Sequence, residues 1–151
     1  MKQFELNIKD FISLDSLSFS YINTAYELEK HIDNMYLLIN YFNIEYKWNG
    51  MFKIEDVYKR IEKGDNLFLM YFNNNPIGYV WFTQRNEETC YLYNLYVTNS
   101  IKRPKNAPKW FINKTCSFMS SYYSKIICEC EDWHIAAQNI FISNGFIDIT
   151  N

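Results

Sequence analysis

The chain has 151 residues, which suits one domain of ordinary size. Apolar residues make up 48% and charged residues 21%, so the composition is that of a globular protein and excludes a disordered or collagen-like chain. The formal net charge of −2 argues against a general nucleic-acid binder, which needs a strongly basic face.

Membrane insertion, secretion and metal binding all lack support in the sequence. No apolar run approaches the roughly 20 residues of a membrane-spanning helix, and residues 1–14 lack the apolar region of a signal peptide. Cys128 and Cys130 form a C-x-C pair, but only His31 and His134 are available as histidine ligands for zinc. We therefore expect reduced thiols in a cytoplasmic protein without a metal.

The first half of the chain has helical patterning. Apolar residues recur at steps of three and four over residues 25–42, which predicts a helix that Asn23 or Thr24 can cap. The same spacing predicts a shorter helix over residues 54–62, with Gly64 as its stop.

The segment between these helices, residues 45–52, is rich in large amphipathic side chains. Trp48 and Phe52 could fill the core. Alternatively, the segment forms a lip that faces a substrate, because loops on a rigid scaffold often carry binding residues.

The pattern then changes to short apolar and aromatic runs, which predict strands. Residues 66–72 and 77–83 are joined by residues 73–76, whose Asn and Pro residues favour a hairpin turn. A second turn at residues 86–88 leads into a third strand over residues 89–98. Such short links make these three strands antiparallel neighbours.

The second half alternates helices and strands. A polar loop leads into a helix over residues 108–123, with Phe111, Thr115, Phe118, Met119 and Tyr122 as its buried stripe. The elements that follow are a strand, a helix and a last short strand. They span residues 125–131, 134–143 and 146–150. The third and fourth strands must therefore pair in parallel across the intervening helix.

The polar loop, residues 99–108, carries the most informative chemistry. It joins a strand to a helix N-terminus, where free backbone N–H groups and the helix dipole favour an anion. Lys102, Arg103, Lys105 and Lys109 add positive charge there. The combination suits a pyrophosphate group, and the alternative is a solvated basic loop.

This order of elements resembles the GNAT (Gcn5-related N-acetyltransferase) superfamily over most of the chain. The resemblance is carried by Leu95-Tyr96-Val97 before the basic loop and by Asn144-Gly145-Phe146 after the last helix. It implies an α+β (mixed α/β) fold. In that fold a mostly antiparallel mixed sheet is flanked by helices and splays between its fourth and fifth strands. Residues 1–151 would form a single GNAT-like domain with a shortened C-terminal strand.

The resemblance also implies acetyl-CoA, or another acyl-CoA, as co-substrate. In the family the strand before the loop offers backbone groups to the pantetheine arm, which here means Leu95, Tyr96 and Val97. The family's Arg/Gln-x-x-Gly-x-Gly/Ala loop, which binds the pyrophosphate, begins at Lys102 or Arg103, and neither register has its first glycine. Lysine side chains can compensate as point charges. The loop residues implied in coenzyme binding are Lys102, Arg103, Lys105, Asn106 and Ala107.

Acyl transfer to an amine also needs proton transfers. Many family members carry a Tyr four residues before the Gly-Phe pair, close to the coenzyme sulfur. Phe141 stands there in this chain and has no proton to give, so we retain it only as a coenzyme-binding residue. His134 is a candidate base because an imidazole accepts a proton near neutral pH. Glu131 is the neighbouring candidate. The alternatives are a capping or packing histidine and a solvated strand-end charge.

The third predicted strand contributes a further candidate. Tyr93 could orient the acceptor or act as an alternative acid, although aromatic residues in strands usually pack a core. Strict alternation would place only two of Tyr91, Tyr93 and Tyr96 on one face of the sheet.

The resemblance implies direct attack of a small-molecule or peptide amine on the thioester of acetyl-CoA. One alternative is a non-catalytic binding or regulatory module with this fold. Another is an acyltransferase whose donor is acyl carrier protein, an acidic partner for the basic loop. Glu129, Glu131 and Asp132 would suit a cationic acceptor, or they lie on the surface. A homodimer could cover the sheet edge that the short C-terminus leaves exposed.

Overall fold

The computed structural model describes residues 1–3, 16–47, 51–130 and 134–149. The strands are β1 (Leu17–Ile22), β2 (Asn66–Phe72), β3 (Asn75–Gln84), β4 (Thr89–Val97) and β5 (Lys125–Cys128). The helices are α1 (Ala25–Lys30), α2 (Ile32–Tyr46), α3 (Ile54–Glu62), α4 (Ala107–Met119) and α5 (Ile135–Ser143). No helix in these ranges is long and apolar enough to cross a bilayer.

Within the described ranges, one sheet has the strand order β1-β2-β3-β4-β5. The first four strands pair antiparallel in sequence order, whereas β5 pairs with β4 in parallel. The hairpin turn between β2 and β3 lies at Asn73 and Asn74, which both have positive φ, as the turn requires. The predicted mixed sheet and its parallel pair are confirmed.

Helices cover both faces of the sheet, because side chains along each strand alternate between two cores. On one face α4 and α5 pack through Phe111, Met119 and Phe141 against the sheet. On the other face the helices α1 to α3 pack against residues such as Tyr79 and Trp81.

The helix predicted over residues 25–42 is divided at His31. Thr24 caps α1 as predicted, through its hydroxyl oxygen and the N–H of Glu27. The His31 N–H then turns back to the carbonyl of Leu28, which ends that helix, and α2 starts anew. The break brings the His31 ring to 3.3 Å from the Tyr71 hydroxyl, a contact with the sheet that helical periodicity cannot reveal.

The sheet differs from the prediction at both of its ends. The strand β1 was not expected, and Phe19 and Tyr21 hold it by packing their rings on Phe68. The strand expected over residues 146–150 does not form in its described part, residues 146–149. Phe146 instead donates its N–H to the carbonyl of Phe141 and packs against that ring, which closes the turn after α5.

The predicted helix over residues 108–123 and the predicted strand over residues 125–131 are both shorter in the structure. Because α4 ends at Met119, Tyr122 lies beyond it and is 65% exposed rather than buried. The strand β5 ends at Cys128, and Glu131 lies outside the described residues.

Candidate active site

A β-bulge interrupts β4 at Asn94, whose φ is +61°. Tyr93 pairs with Trp81 on one side of the bulge and Leu95 pairs with Val80 on the other, so Asn94 is the extra residue. A bulge bends its strand and leaves the extra residue outside the regular ladder. The middle of β4 is therefore an irregular point in an otherwise regular sheet.

The bulge also changes which tyrosines share a face. Tyr91 stacks on Tyr93 at a ring distance of 6.2 Å, and Tyr93 stacks on Trp81 at 6.4 Å. Tyr96 lies 5.3 Å from the ring of Tyr79 in the same core. All three tyrosines of β4 thus face α2 and α3, which corrects the expectation of two, because the extra residue resets the alternation.

The strands β4 and β5 share a short parallel pairing. Their last paired residues are Leu92 and Cys128, whereas β4 continues to Val97. The second half of β4 therefore has no paired strand on this side among the described residues. The pairing ends at the place where a splay between the fourth and fifth strands is expected, and the splay itself stays a prediction.

The backbone of β4 offers its free groups to this side. Thr98 donates its N–H to the carbonyl of Ile77 at 2.8 Å, so Thr98 faces β3. Alternation along an antiparallel pair then turns Tyr96 towards β3 and turns Leu95 and Val97 away from it. The N–H and C=O groups of Leu95 and Val97 consequently face the open edge.

Glu45, at the end of α2, holds the start of the basic loop. Its carboxylate accepts hydrogen bonds from the hydroxyls of Tyr96 (2.6 Å), Thr98 (2.6 Å) and Ser100 (2.8 Å) and from the N–H of Asn99 (3.0 Å). Burial raises the pKa of Glu45, but these hydrogen bonds together outweigh it and hold the pKa below its usual range. Glu45 therefore links α2 to the end of β4 as a carboxylate.

Arg103 supports the loop from within. Its Nε donates to the carbonyl of Thr98 at 3.0 Å. Burial lowers the pKa of Arg103, while the negative charge of Glu45 raises it. Lys102 and Lys105 are exposed instead, and no backbone hydrogen bond within the described residues uses their N–H groups.

The start of α4 presents few free N–H groups of its own. Asn106 is the N-cap and makes no side-chain capping bond, and Pro108 lies in the first turn as predicted. The N–H of the buried Ala107 donates to the carbonyl of Pro104 at 3.1 Å. An anion at this place would therefore rely on the loop before the helix and on the lysine side chains.

A groove of about 580 Å³ opens beside the bulge, on the face that carries the three tyrosines. Its floor comes from the sheet and its walls come from α2, α3 and the segment before α3. The floor residues are Tyr79, Asn94, Leu95 and Tyr96. The wall residues are Phe42, Tyr46, Met51, Phe52, Asp56, Lys59, Arg60 and Lys63.

Arg60 of α3 packs its guanidinium onto aromatic rings at the groove wall. The guanidinium carbon lies 5.3 Å from the Trp81 ring, 5.4 Å from the Tyr93 ring and 5.9 Å from the Phe52 ring. Cations over aromatic faces at these distances are attracted by the ring quadrupole. Phe52 therefore packs on Tyr79 and also lines the groove. A role of the segment before α3 as a lip that faces a substrate stays a prediction, and Trp48 lies outside the described residues.

The candidate catalytic residues are not brought together among the described residues. The Tyr93 hydroxyl donates to Asp65 at 2.5 Å. Burial raises the pKa of Tyr93 most, and the hydrogen bond to the negatively charged Asp65 raises it further. His134 is the exposed N-cap residue of α5 and does not line the groove. Glu131 lies outside the described residues. Phe141 is buried, 8% exposed, in the core under α4 and α5.

Cys90 and Cys116 are unsuited to nucleophilic chemistry, and the described part of the chain contains no cluster of potential metal ligands. Burial raises the pKa of Cys90 to about 11 and that of Cys116 to about 12, so neither supplies a thiolate near neutral pH. No group of three or more potential metal ligands among His, Cys, Asp and Glu occurs within residues 1–3, 16–47, 51–130 and 134–149.

Sequence reasoning missed Glu45 and Arg60. Nothing in the sequence around Glu45 marks it, because its partners lie more than 50 positions away along the chain. Arg60 had a weak signal. It lies three residues after Val57 on α3, and a spacing of three on a helix places a side chain next to the buried stripe.

Comparisons with known proteins give structural matches alone, since no family model and no curated protein matches the sequence. One match is an aminoglycoside acetyltransferase from an uncultured soil metagenomic sample in complex with sisomicin. It has 17% identity and a TM-score of 0.65, with 91% of this chain and 94% of that chain covered. Another is AAC(6')-Iy in complex with the bisubstrate analogue CoA-S-monomethyl-acetylneamine, at 11% identity, TM-score 0.65, and 89% and 93% coverage.

A third match is the ribosomal-protein-alanine N-acetyltransferase from Brucella melitensis biovar Abortus 2308. It has 10% identity and a TM-score of 0.66, with 89% of this chain and 94% of that chain covered. Such similarity over nearly the full length, at low identity, concerns the fold. The strand order and the parallel β4–β5 pair agree with it. The chain therefore has the fold of the GNAT acyl-CoA N-acyltransferases.

Proposed function

We propose that the protein is an N-acetyltransferase that transfers the acetyl group of acetyl-CoA, or of another acyl-CoA, to an amine. The observation that carries the proposal is the free edge of β4, where the backbone of Leu95 and Val97 faces outward beyond the end of the pairing with β5. This edge lies between the basic loop and the groove. A long thioester and an amine could therefore meet at the bulge, one along the edge and the other through the groove.

The donor would be held mainly by backbone groups and lysines. Leu95 and Val97 would bond to the amide groups of the pantetheine arm, as an added strand would. Lys102 and Lys105, with the N–H groups of their loop, would bind the pyrophosphate. Tyr96, Arg103, Asn106 and Ala107 would shape this site from behind, and Phe141 would support α4 from the core.

The chemical step would be direct attack. The neutral amine nitrogen forms a bond to the thioester carbonyl carbon, the carbon–sulfur bond breaks, and the coenzyme leaves as a thiolate that takes a proton. An acceptor that arrives as an ammonium first loses one proton to become the neutral amine, and after attack the positively charged nitrogen loses a second proton, which balances the one that the thiolate takes up. Holding both reactants in one geometry, with backbone N–H groups near the carbonyl oxygen, supplies most of the rate in such a mechanism.

Three residues remain proposed for the proton transfers and for orienting the acceptor. His134, with Glu131 three positions earlier in the sequence, is the proposed base, since it is the N-cap residue of α5, the helix that follows β5 in the chain. Tyr93 is better suited to orienting the acceptor. Its hydroxyl proton is committed to Asp65, and its raised pKa makes it a poorer acid.

Coenzyme binding is tested by calorimetric titration with acetyl-CoA. We expect the Lys102→Ala/Lys105→Ala variant to bind about 10- to 100-fold more weakly than the unchanged protein, since each charge-assisted hydrogen bond is worth about 1.5–3 kcal/mol and exposed contacts deliver less. Lys114→Ala, an exposed lysine further along α4, is the matched control. An unchanged affinity in the double variant would contradict this donor site.

Binding and activity assays on the same purified protein distinguish the proposed function from its two alternatives. If the protein fails to bind acetyl-CoA but acylates an amine from acyl carrier protein, the basic loop serves the carrier instead. If acetyl-CoA binds and no amine of a broad panel is acetylated, the protein is a binding module with this fold.

Replacement of His134 tests the proposed base. His134→Gln should lower kcat by about 100-fold, the ordinary contribution of a general base, with little change in the KM for acetyl-CoA. His31→Gln removes the other histidine, at the α1–α2 junction, and should retain the kcat of the unchanged protein. An unchanged kcat in His134→Gln would rule out the assignment.

A further inference from the structure

Arg60 brings a positive charge into the groove wall without a counter-ion. The described residues provide no ion pair for it, and its buried Nη1 atom has no hydrogen-bond partner there. Aromatic rings stabilise the flat faces of the guanidinium, and a hydrogen bond from Arg60 opposes the rise in the pKa of Tyr93, whose hydroxyl also donates to Asp65. Arg60 is partly buried, and its buried Nη1 remains a charged donor without an acceptor, which is costly until an anion reaches it.

Two more polar groups beside Arg60 also lack a partner. The Tyr79 hydroxyl and the Trp81 indole N–H belong to fully buried residues, and neither group has a hydrogen-bond partner in the described part of the chain. Both belong to the aromatic cluster of Arg60. Trp81 lies under the guanidinium, and Tyr79 is stacked on Phe52. The indole N–H and the guanidinium are donors only, so the cluster has an excess of donors over acceptors.

Positive charges outnumber negative ones in the lining of the groove. Lys59, Arg60 and Lys63 line it, against the single carboxylate of Asp56. Such a lining attracts anions and repels a polycationic amine. It also opposes the expectation from the acidic cluster near residue 130, which would have favoured a cationic acceptor.

We infer that the acceptor is an amine that also carries an anionic oxygen group, a carboxylate or a phosphate, and that Arg60 binds this group. The inference rests on the proposed acetyltransferase function and names its substrate class. Arg60 offers a planar pair of N–H groups that matches two oxygens of such an anion. The anion would supply an acceptor to the buried Nη1 of Arg60, while the amine of the same molecule reaches the bulge at Asn94.

The test compares matched acceptors that differ in the anion alone. Acetylation from acetyl-CoA is measured for tyrosine against tyramine, lysine against cadaverine, and glucosamine 6-phosphate against glucosamine. The first two pairs report a carboxylate and the third a phosphate. We expect at least one anionic member to have a kcat/KM at least tenfold above that of its partner.

Substitutions of Arg60 test whether this residue causes the preference for the anionic acceptor. Arg60→Gln should abolish the preference by raising KM for the anionic acceptor, and Arg60→Lys should restore part of it. Arg85→Gln is the matched control, since Arg85 also stacks on a tyrosine, 4.3 Å from the Tyr91 ring, but lies outside the groove. Equal kcat/KM values within all three pairs would overturn the inference, even if the amines are acetylated well.

A binding measurement tests the anion site independently of acetyl transfer. Acetate and inorganic phosphate are titrated while the indole N–H resonance of Trp81, identified with Trp81→Phe, is followed by NMR. We expect one of the two ions to shift this resonance in the unchanged protein and not in Arg60→Gln, whose overall spectrum shows whether it is folded. No shift from either ion would overturn the inference. A shift without any acetyl transfer would leave the anion site standing and contradict the proposed function.

Discussion

Replacing Gly78 by Ala is expected to destabilise the protein and to weaken acetyl-CoA binding at least tenfold. A Cβ at this position would lie 2.6 Å from the Tyr96 carbonyl oxygen and 3.3 Å from the Val97 Cα. These neighbours are backbone atoms of β4, so relief requires a shift of the strand rather than a side-chain rotation. Overpacking of this kind costs about 1–3 kcal/mol.

The shift would act on binding because it moves the free edge of β4. Leu95 and Val97 lie on the displaced segment, and their backbone groups are the proposed partners of the pantetheine arm. Urea denaturation and calorimetric titration with acetyl-CoA measure the two effects. Gly64→Ala is the control, since an added Cβ would meet nothing within 4 Å there. Its only expected cost is the strain of an alanine at a φ of +96°, about 1–2 kcal/mol. Undiminished affinity in Gly78→Ala would contradict the role of this edge.

Removing the carboxylate of Glu45 should have the second large effect. Glu45→Ala leaves the buried hydroxyls of Tyr96 and Thr98 without their acceptor and frees the loop at Asn99 and Ser100. Buried polar groups that lose a partner cost about 1–3 kcal/mol, so we expect a loss near 2 kcal/mol. Acetyl-CoA affinity should fall about tenfold, because the basic loop must then be ordered at the expense of binding energy.

The pH dependence of this effect has a definite sign. The pKa of Glu45 is lowered in the folded protein, so its stabilisation is fully present above the ordinary glutamate pKa and is lost as the pH falls through the lowered value. The difference in unfolding free energy between the unchanged protein and Glu45→Gln should therefore be constant near neutral pH and shrink in acid. Glu29→Gln, an exposed glutamate of α1, is the control. A difference that grows on acidification would contradict the assignment.

The regular elements could be predicted because their signals are local. The boundaries of α3 and β2 agree with the apolar spacing over residues 54–62 and 66–72, and Gly64 and Gly145 have the positive φ of helix stops. The parallel pairing of β4 with β5 followed from the helix between them, since a parallel neighbour needs a crossover. The resemblance to the GNAT superfamily rested on this order of elements, and the fold agrees with it.

The missed features depend on contacts between distant segments. The strand β1 is held by the rings of Phe19 and Tyr21 against Phe68, and the break at His31 coincides with the contact of its ring with Tyr71. The strand expected after Gly145 was predicted from its apolar residues alone. The first of these, Phe146, packs its ring against Phe141 at a distance of 5.5 Å instead of joining the sheet.

The sequence by itself determined the order of elements, the antiparallel hairpins, the parallel crossover and the basic loop, because periodicity, turn residues and charge act over a few positions. Only the tertiary structure decided the chemistry of the site. The bulge at Asn94 reset the side-chain alternation of β4, Glu45 met the end of β4 across 51 positions, and Arg60 met the aromatic cluster. Burial and unsatisfied hydrogen-bonding groups arise from packing between segments that are distant in the chain, so no short stretch of sequence can predict them.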